Sequence, residues 1–153
     1  MGPIEIRRMT PEDGESVFAL MREFYDSPAV LVDTPDPILR RDIADAVSDN
    51  PFLDGFIFTE GENIVGYAMT TRCYSTEYGG LAVWVEDLFL LPAYRGRGLA
   101  TRFFAHIEEL YPEAVRFKLE VERDNVPAMA SYRKNGYAVS DYVEMTKEMP
   151  PRA

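Results

Sequence analysis

Residues 95–100, Arg95-Gly96-Arg97-Gly98-Leu99-Ala100, combine features that suit a bound anion. They fall where an apolar run ends and an amphipathic helix begins. The first four N–H groups of a helix lack internal partners, and the helix dipole adds positive charge there. Gly96 and Gly98 have no Cβ, so an anion can approach the backbone closely. Ala100 keeps the first turn small, and Arg95, Arg97 and nearby Arg102 carry charge suited to phosphate. Such a junction can bind a pyrophosphate. The same six residues also fit a tight turn with exposed arginines. Two other phosphate motifs are excluded. Thr101 stands where a dinucleotide fingerprint needs Gly or Ala, and no Gly-Lys-Ser/Thr is present.

Other chemistries are excluded by counting. One cysteine, Cys73, leaves no internal disulfide and no cysteine metal cluster, and one histidine, His106, leaves no His pair for zinc. No metal site is expected. Cys73 reads as a buried thiol and His106 as a packing or surface residue. The 26 acids outnumber the 16 bases for a net charge of −10. That excludes nonspecific nucleic-acid binding, which needs a basic surface. It fits a cationic substrate, and equally it fits plain solubility. No apolar run reaches the ~18–20 residues of a membrane span, and no secretory signal opens the chain. A cytoplasmic protein is expected.

The 153 residues suit one domain over 1–153, with a core at about 4–147 and a loose tail at 148–153. Ile4 and Ile6 start a strand over 4–9. Thr10-Pro11 starts a helix over 11–26, with Val17, Leu20, Met21 and Phe24 at helical spacing. Three prolines make 28–37 a loop, and a second helix covers 37–49. Strands follow at 52–58 and 64–76, joined by a turn at Glu60-Gly61-Glu62-Asn63. Residues 81–91 are nearly all apolar apart from Glu86 and Asp87, as in a strand buried on both faces. Period-2 alternation puts Glu86 on a face with Trp84 and Leu88, and Asp87 opposite. Leu99, Phe103, Phe104, Ile107 and Leu110 stripe the next helix. A strand at 115–121, a helix from Asn125 to Asn135-Gly136 and a last strand at 137–147 complete the order β-α-α-β-β-β-α-β-α-β. This is an α/β fold with a single mixed, mostly antiparallel sheet and helices on both faces.

Arg95-x-x-Gly98-x-Ala100 resembles the Arg/Gln-x-x-Gly-x-Gly/Ala signature of the GNAT N-acetyltransferase superfamily. Asn125-x-x-Ala128-x-x-x-Tyr132-x-x-x-Gly136-Tyr137 resembles that family's second cofactor segment, and the element order agrees from about 4 to 147. Less specifically, Tyr74 to Tyr78 and Trp84-Val85-Glu86-Asp87-Leu88-Phe89 resemble the diamine (polyamine) acetyltransferases. The resemblance implies acetyl-CoA bound along Leu88, Phe89 and Leu90, by Arg95, Gly96, Arg97, Gly98, Leu99, Ala100 and Thr101, and by Asn125 and Tyr132. It implies a bulge in the fourth strand, which the sequence does not show. It also implies acetyl transfer to a primary amine of a small molecule. An alkylammonium has a pKa near ~10.4, so its proton must be removed at neutral pH; a carboxylate can take it directly or through water, and Glu86 is the candidate. Tyr132 matches the family's proton donor to the leaving thiolate. Tyr25, Tyr74, Trp84, Glu86 and Asp87 are candidate acceptor-binding residues. Alternatives are a protein N-terminus or lysine as acceptor, or a non-catalytic acyl-CoA-binding module. A homodimer is common in the family, and the last strand could supply an edge for it.

Overall fold

Side-chain alternation in the second strand divides the molecule into two layers. Phe56 and Phe58 enter one cluster and Ile57 the other, each fully buried. In the computed structural model, which describes residues 2–150, the elements are β1 (Ile4–Arg8), α1 (Gly14–Tyr25), α2 (Asp36–Ala46), β2 (Leu53–Glu60), β3 (Asn63–Ser75), β4 (Gly80–Leu90), α3 (Leu99–Leu110), β5 (Ala114–Leu119) and α4 (Val126–Lys134). The five strands lie in sequence order; β1 to β4 are antiparallel, and β5 is parallel to β4. Short turns make the β2–β3 and β3–β4 pairs, α1 and α2 lie between β1 and β2, and the α3 crossover makes the parallel pair.

Val17, Leu20 and Met21 of α1 and Leu39 and Ile43 of α2 cover one sheet face, against Ile57, Tyr67, Met69 and Phe89. Leu99, Phe103, Phe104 and Ile107 of α3 cover the other, against Phe56, Phe58, Val83 and Val85. Beneath the end of α3, buried Asp54 accepts hydrogen bonds from Tyr111 (2.6 Å) and Arg8 (2.7 Å) and pairs with Arg72 at 2.8 Å. Thr70 and Tyr111 join the same node through their hydroxyls at 3.0 Å. No described helix is long and apolar enough to cross a membrane.

Two irregularities in β4 matter for function. Asp87 pairs with Met69 and Val85 with Thr70, so Glu86 is an extra residue with no partner across the ladder. The pairing with β5 ends at Val85–Leu119, so the last five residues of β4 run on without it. The expected strand at 137–147 does not form. Its apolar residues alternate, but beyond Tyr137, which packs on Phe104 at 5.0 Å, they lie uncovered: Val139 is 68% exposed, Val143 87% and Met145 91%. The Tyr142 N–H bonds locally to Ser140 Oγ at 3.3 Å, and the Tyr142 hydroxyl donates to Glu77 at 3.1 Å. Alternation marks a segment able to lie on a sheet, but a strand needs a ladder partner, and β5 pairs with β4 alone among the described residues. Residues 151–153 of the expected loose tail lie outside the described residues.

Candidate active site

The separation of β4 from β5 opens a cleft of about 830 Å3. Leu88, Phe89 and Leu90 form its floor, and the turn at Arg95, Gly96 and Gly98 closes one end with Leu99, Ala100 and Thr101. Asn125, Ala128 and Tyr132 of the α4 segment form the opposite wall. Thus eleven of the twelve residues expected to bind the cofactor line one space; Arg97 does not. The Arg97 guanidinium lies over the Tyr94 ring at 5.1 Å. Arg102 is committed elsewhere, donating to the Ile4 carbonyl at 2.7 Å. Sequence reasoning missed Phe24, Ser27, Pro28 and Ala29, which form the rim at the end of α1, and Glu122 and Asp124 beyond β5. The Ser27-Pro28 helix stop was the available signal for the rim.

The turn has the local form an anion site needs. Gly96 (φ 71°) and Gly98 (φ 73°) both adopt left-handed backbone, and a Cβ on either would meet nothing within 4 Å. Gly98 caps α3 with no side-chain bond, so the first N–H groups of the helix are left for a ligand. Arg95 Nε donates to the Leu90 carbonyl at 2.8 Å, fixing the turn to the end of β4. Open space, glycine backbone, helix amides and one cleft-lining arginine fit a coenzyme A pyrophosphate, and the apolar floor fits a pantetheine chain.

The bulge corrects the expected arrangement of the acids. Before it, Val83 and Val85 face α3; after it, Asp87 and Phe89 face α1. Trp84, Glu86 and Asp87 therefore share the α1 face, and Leu88 is on the other. Glu86 is exposed and accepts from Thr71 Oγ1 at 2.7 Å. Asp87 is 6% exposed and accepts from the hydroxyls of Tyr25 (3.1 Å) and Tyr67 (2.8 Å). Burial pushes the Asp87 carboxyl up to about 6, aided by neighbouring Asp42 and Glu86 and opposed by the two phenols. Lys118 lies over the Trp84 ring at 4.1 Å, so that aromatic face already carries a cation. Tyr74 is not brought to the bulge; it stays 70% exposed at the hairpin end of β3.

Tyr132 packs edge-on to Phe104 at 5.9 Å, and burial pushes its phenol up, so it holds its proton at neutral pH. Asn125 accepts from the Ala128 N–H at 3.3 Å, capping α4 while lining the cleft. His106 packs edge-on to Phe56 at 5.8 Å. Cys73 is exposed rather than buried, because it lies on the uncovered end of the β3–β4 pair.

Residues 16–137 match the acetyltransferase (GNAT) family. This chain belongs to the acetyltransferase (GNAT) family. This GNAT enzyme is an acetyl-CoA-dependent N-acetyltransferase. It is 30% identical over 153 residues to a thialysine N-epsilon-acetyltransferase of Caenorhabditis elegans, covering 96% of this chain and 88% of the relative. It is 28% identical over 153 residues to a streptothricin acetyltransferase of Streptomyces lavendulae, covering 88% and 81%. A solved structure described as a possible acetyltransferase from Clostridium difficile 630 shares the fold at a TM-score of 0.82 and 20% identity, covering 96% and 98%.

Proposed function

We propose that this GNAT enzyme acetylates a primary amine of a small cationic molecule, such as a polyamine or an amino-acid-like amine. The observation that carries the reading is the acid pair at the β4 bulge, Glu86 exposed and Asp87 buried, which directly precedes Leu88, the first β4 residue to line the cleft. The names of the thialysine and streptothricin relatives support it.

Acetyl-CoA supplies an acetyl thioester. The amides after Gly98, with Arg95, hold its pyrophosphate, and the backbone of Leu88 and Leu90 lies along its pantetheine. Glu86 takes the proton from the acceptor ammonium, directly or through water, because only the neutral amine is nucleophilic. Tyr132 gives its proton to the departing sulfur. Tyr25 forms an aromatic wall, and a cation reaching Trp84 displaces Lys118. Tyr74 and Arg97 have outer roles, at the acceptor entrance and the rim of the cofactor turn. The reading extends to one catalytic domain, a cytoplasmic location and a homodimer, the last supported by the exposed apolar tail.

Thiol release with a panel of small amines and peptides tests the reading. Expected are turnover of small diamines, a loss of about 10²–10⁴-fold in Glu86→Gln, and a smaller loss in Tyr132→Phe. Unchanged turnover in both variants sinks these roles. Acetylation of peptides alone moves the acceptor to proteins.

A further inference from the structure

The rim of the cleft at the end of α1 has one large side chain, that of Phe24; Ser27, Pro28 and Ala29 beside it are compact. Phe24 is half-buried, because it packs against three aromatic rings and also lines the cleft. Its ring centre is 5.6 Å from Tyr25, 5.6 Å from Phe89 and 6.3 Å from Tyr67. Each of these neighbours is held in turn. Tyr67 is fully buried and donates to Asp87 at 2.8 Å, and Tyr25 donates to the same carboxyl at 3.1 Å. Phe89 is buried and carries the Arg95 guanidinium over its ring at 5.4 Å. The Phe24 backbone is tied as well: its carbonyl accepts from Ser27 Oγ at 2.6 Å and from the Ser27 N–H at 3.0 Å. A ring backed in this way has little room to give, since close-packed side chains leave no spare volume behind it. The cluster also has a definite place along the floor. Tyr25 and Tyr67 bond to Asp87, which directly precedes Leu88, where the floor begins; the glycine turn lies past Leu90 at the other end. A pantetheine chain that runs from the turn along Leu90 to Leu88 brings its thioester toward Phe24.

We propose that Phe24 sets the length of the acyl group this enzyme accepts, by closing the thioester end of the cleft with a ring that its neighbours hold rigid. An acetyl group ends in a methyl, which rests against an aromatic face. Each further methylene has to displace the Phe24 ring, and the ring has to displace Phe89 or Tyr67. An apolar wall of this kind separates chains by about 10–200-fold per methylene. A shorter side chain at position 24 leaves space that a longer acyl chain fills, with apolar burial in its favour. The inference concerns the acyl donor. It rests on the use of acetyl-CoA and is independent of which amine receives the group.

Calorimetric titration of the full chain with coenzyme A, acetyl-CoA, propionyl-CoA and butyryl-CoA tests this with no acceptor present. The unsubstituted protein should bind butyryl-CoA about tenfold or more weakly than acetyl-CoA. Phe24→Ala should bind butyryl-CoA at least as tightly as acetyl-CoA, while its affinity for coenzyme A itself stays within about threefold. Phe24→Leu should move the series in the same direction by a smaller factor, and it carries the test if Phe24→Ala does not fold. An unsubstituted protein that binds butyryl-CoA as tightly as acetyl-CoA overturns the proposal. So does a variant that folds and keeps the affinities of the four ligands in their original proportions. An equal loss for all four makes Phe24 a wall of the pantetheine channel, and that too overturns its role in acyl selection.

Discussion

Asp87 gives the folded protein a proton affinity that the unfolded chain lacks. Its folded value of about 6 lies above the ordinary 3.8, so its contribution to stability is present below 3.8 and is lost as the pH rises through 6. Asp87→Asn should therefore raise the Tm of the ligand-free protein by about 3–8 °C at pH 8 and by less at pH 5. Melting curves at both pH values check this; an equal shift at both removes the titration as its cause. Asp13 has the opposite sign. The Arg7 bond holds its carboxyl below the usual range, so its contribution is present above 3.8 and is lost as the pH falls through the lowered value. The two residue types are identical in sequence. What separates them is an arginine six residues away in one case and none in the other, which no local pattern around Asp87 reveals.

At the scale of elements, the turn after β4 and the α4 segment were legible because each is a short run whose side chains and backbone act locally. Gly96, Gly98, Ala100 and Asn125 all line the cleft they were expected to line. The two-residue connection at Gly61-Glu62 was legible for the same reason, but the helix expected from residue 11 starts at Gly14, because Thr10 caps a separate 3-10 turn over Pro11–Asp13. The phase of β4 was not legible either. A strand apolar on both faces reads the same in either register, so nothing in residues 81–91 marks where alternation reverses. Cys73 was misplaced because helix coverage along β3 is a tertiary property. Gly66 is a further position with no sequence signal. A Cβ there would lie 2.6 Å from the Phe89 carbonyl oxygen and 2.6 Å from Leu90 Cδ2. Gly66→Ala must push β4 at the cleft floor. Coenzyme A affinity by calorimetry should drop about tenfold or more, with Tm lowered as in other overpacked cores. An unchanged affinity means the floor is compliant.

Across the whole molecule, the stabilising node and the acid pair sit one ladder step apart on opposite faces of the sheet, since Asp54 pairs with Thr70, Thr70 with Val85 and Met69 with Asp87. On the α3 side the Arg8–Asp54–Arg72 node joins β1, β2 and β3 and ties them to Tyr111 after α3. Burial works to raise the Asp54 carboxyl, but Tyr111 and the two arginines hold it low. Asp54→Ala leaves two arginines and a phenol without their acceptor and should cost about 3–5 kcal/mol in denaturant unfolding, with coenzyme A binding retained below the transition. The apolar tail belongs to the assembly scale. If the homodimer forms through it, Val143→Asp with Met145→Asp should give a monomer by light scattering, and a dimer that survives both moves the contact elsewhere. The bulge links these scales through counting. β4 is one strand with two frames: its first half is keyed to α3 and its second to the acceptor side, and Glu86 is the frameshift between them. Excising that one residue, unlike substituting it, would make Val85 and Asp87 neighbours in a regular ladder, with Asp87 still toward α1 and Leu88 still under α3. The extra residue therefore sets a second acid beside Asp87 without disturbing the packing of either half of the strand.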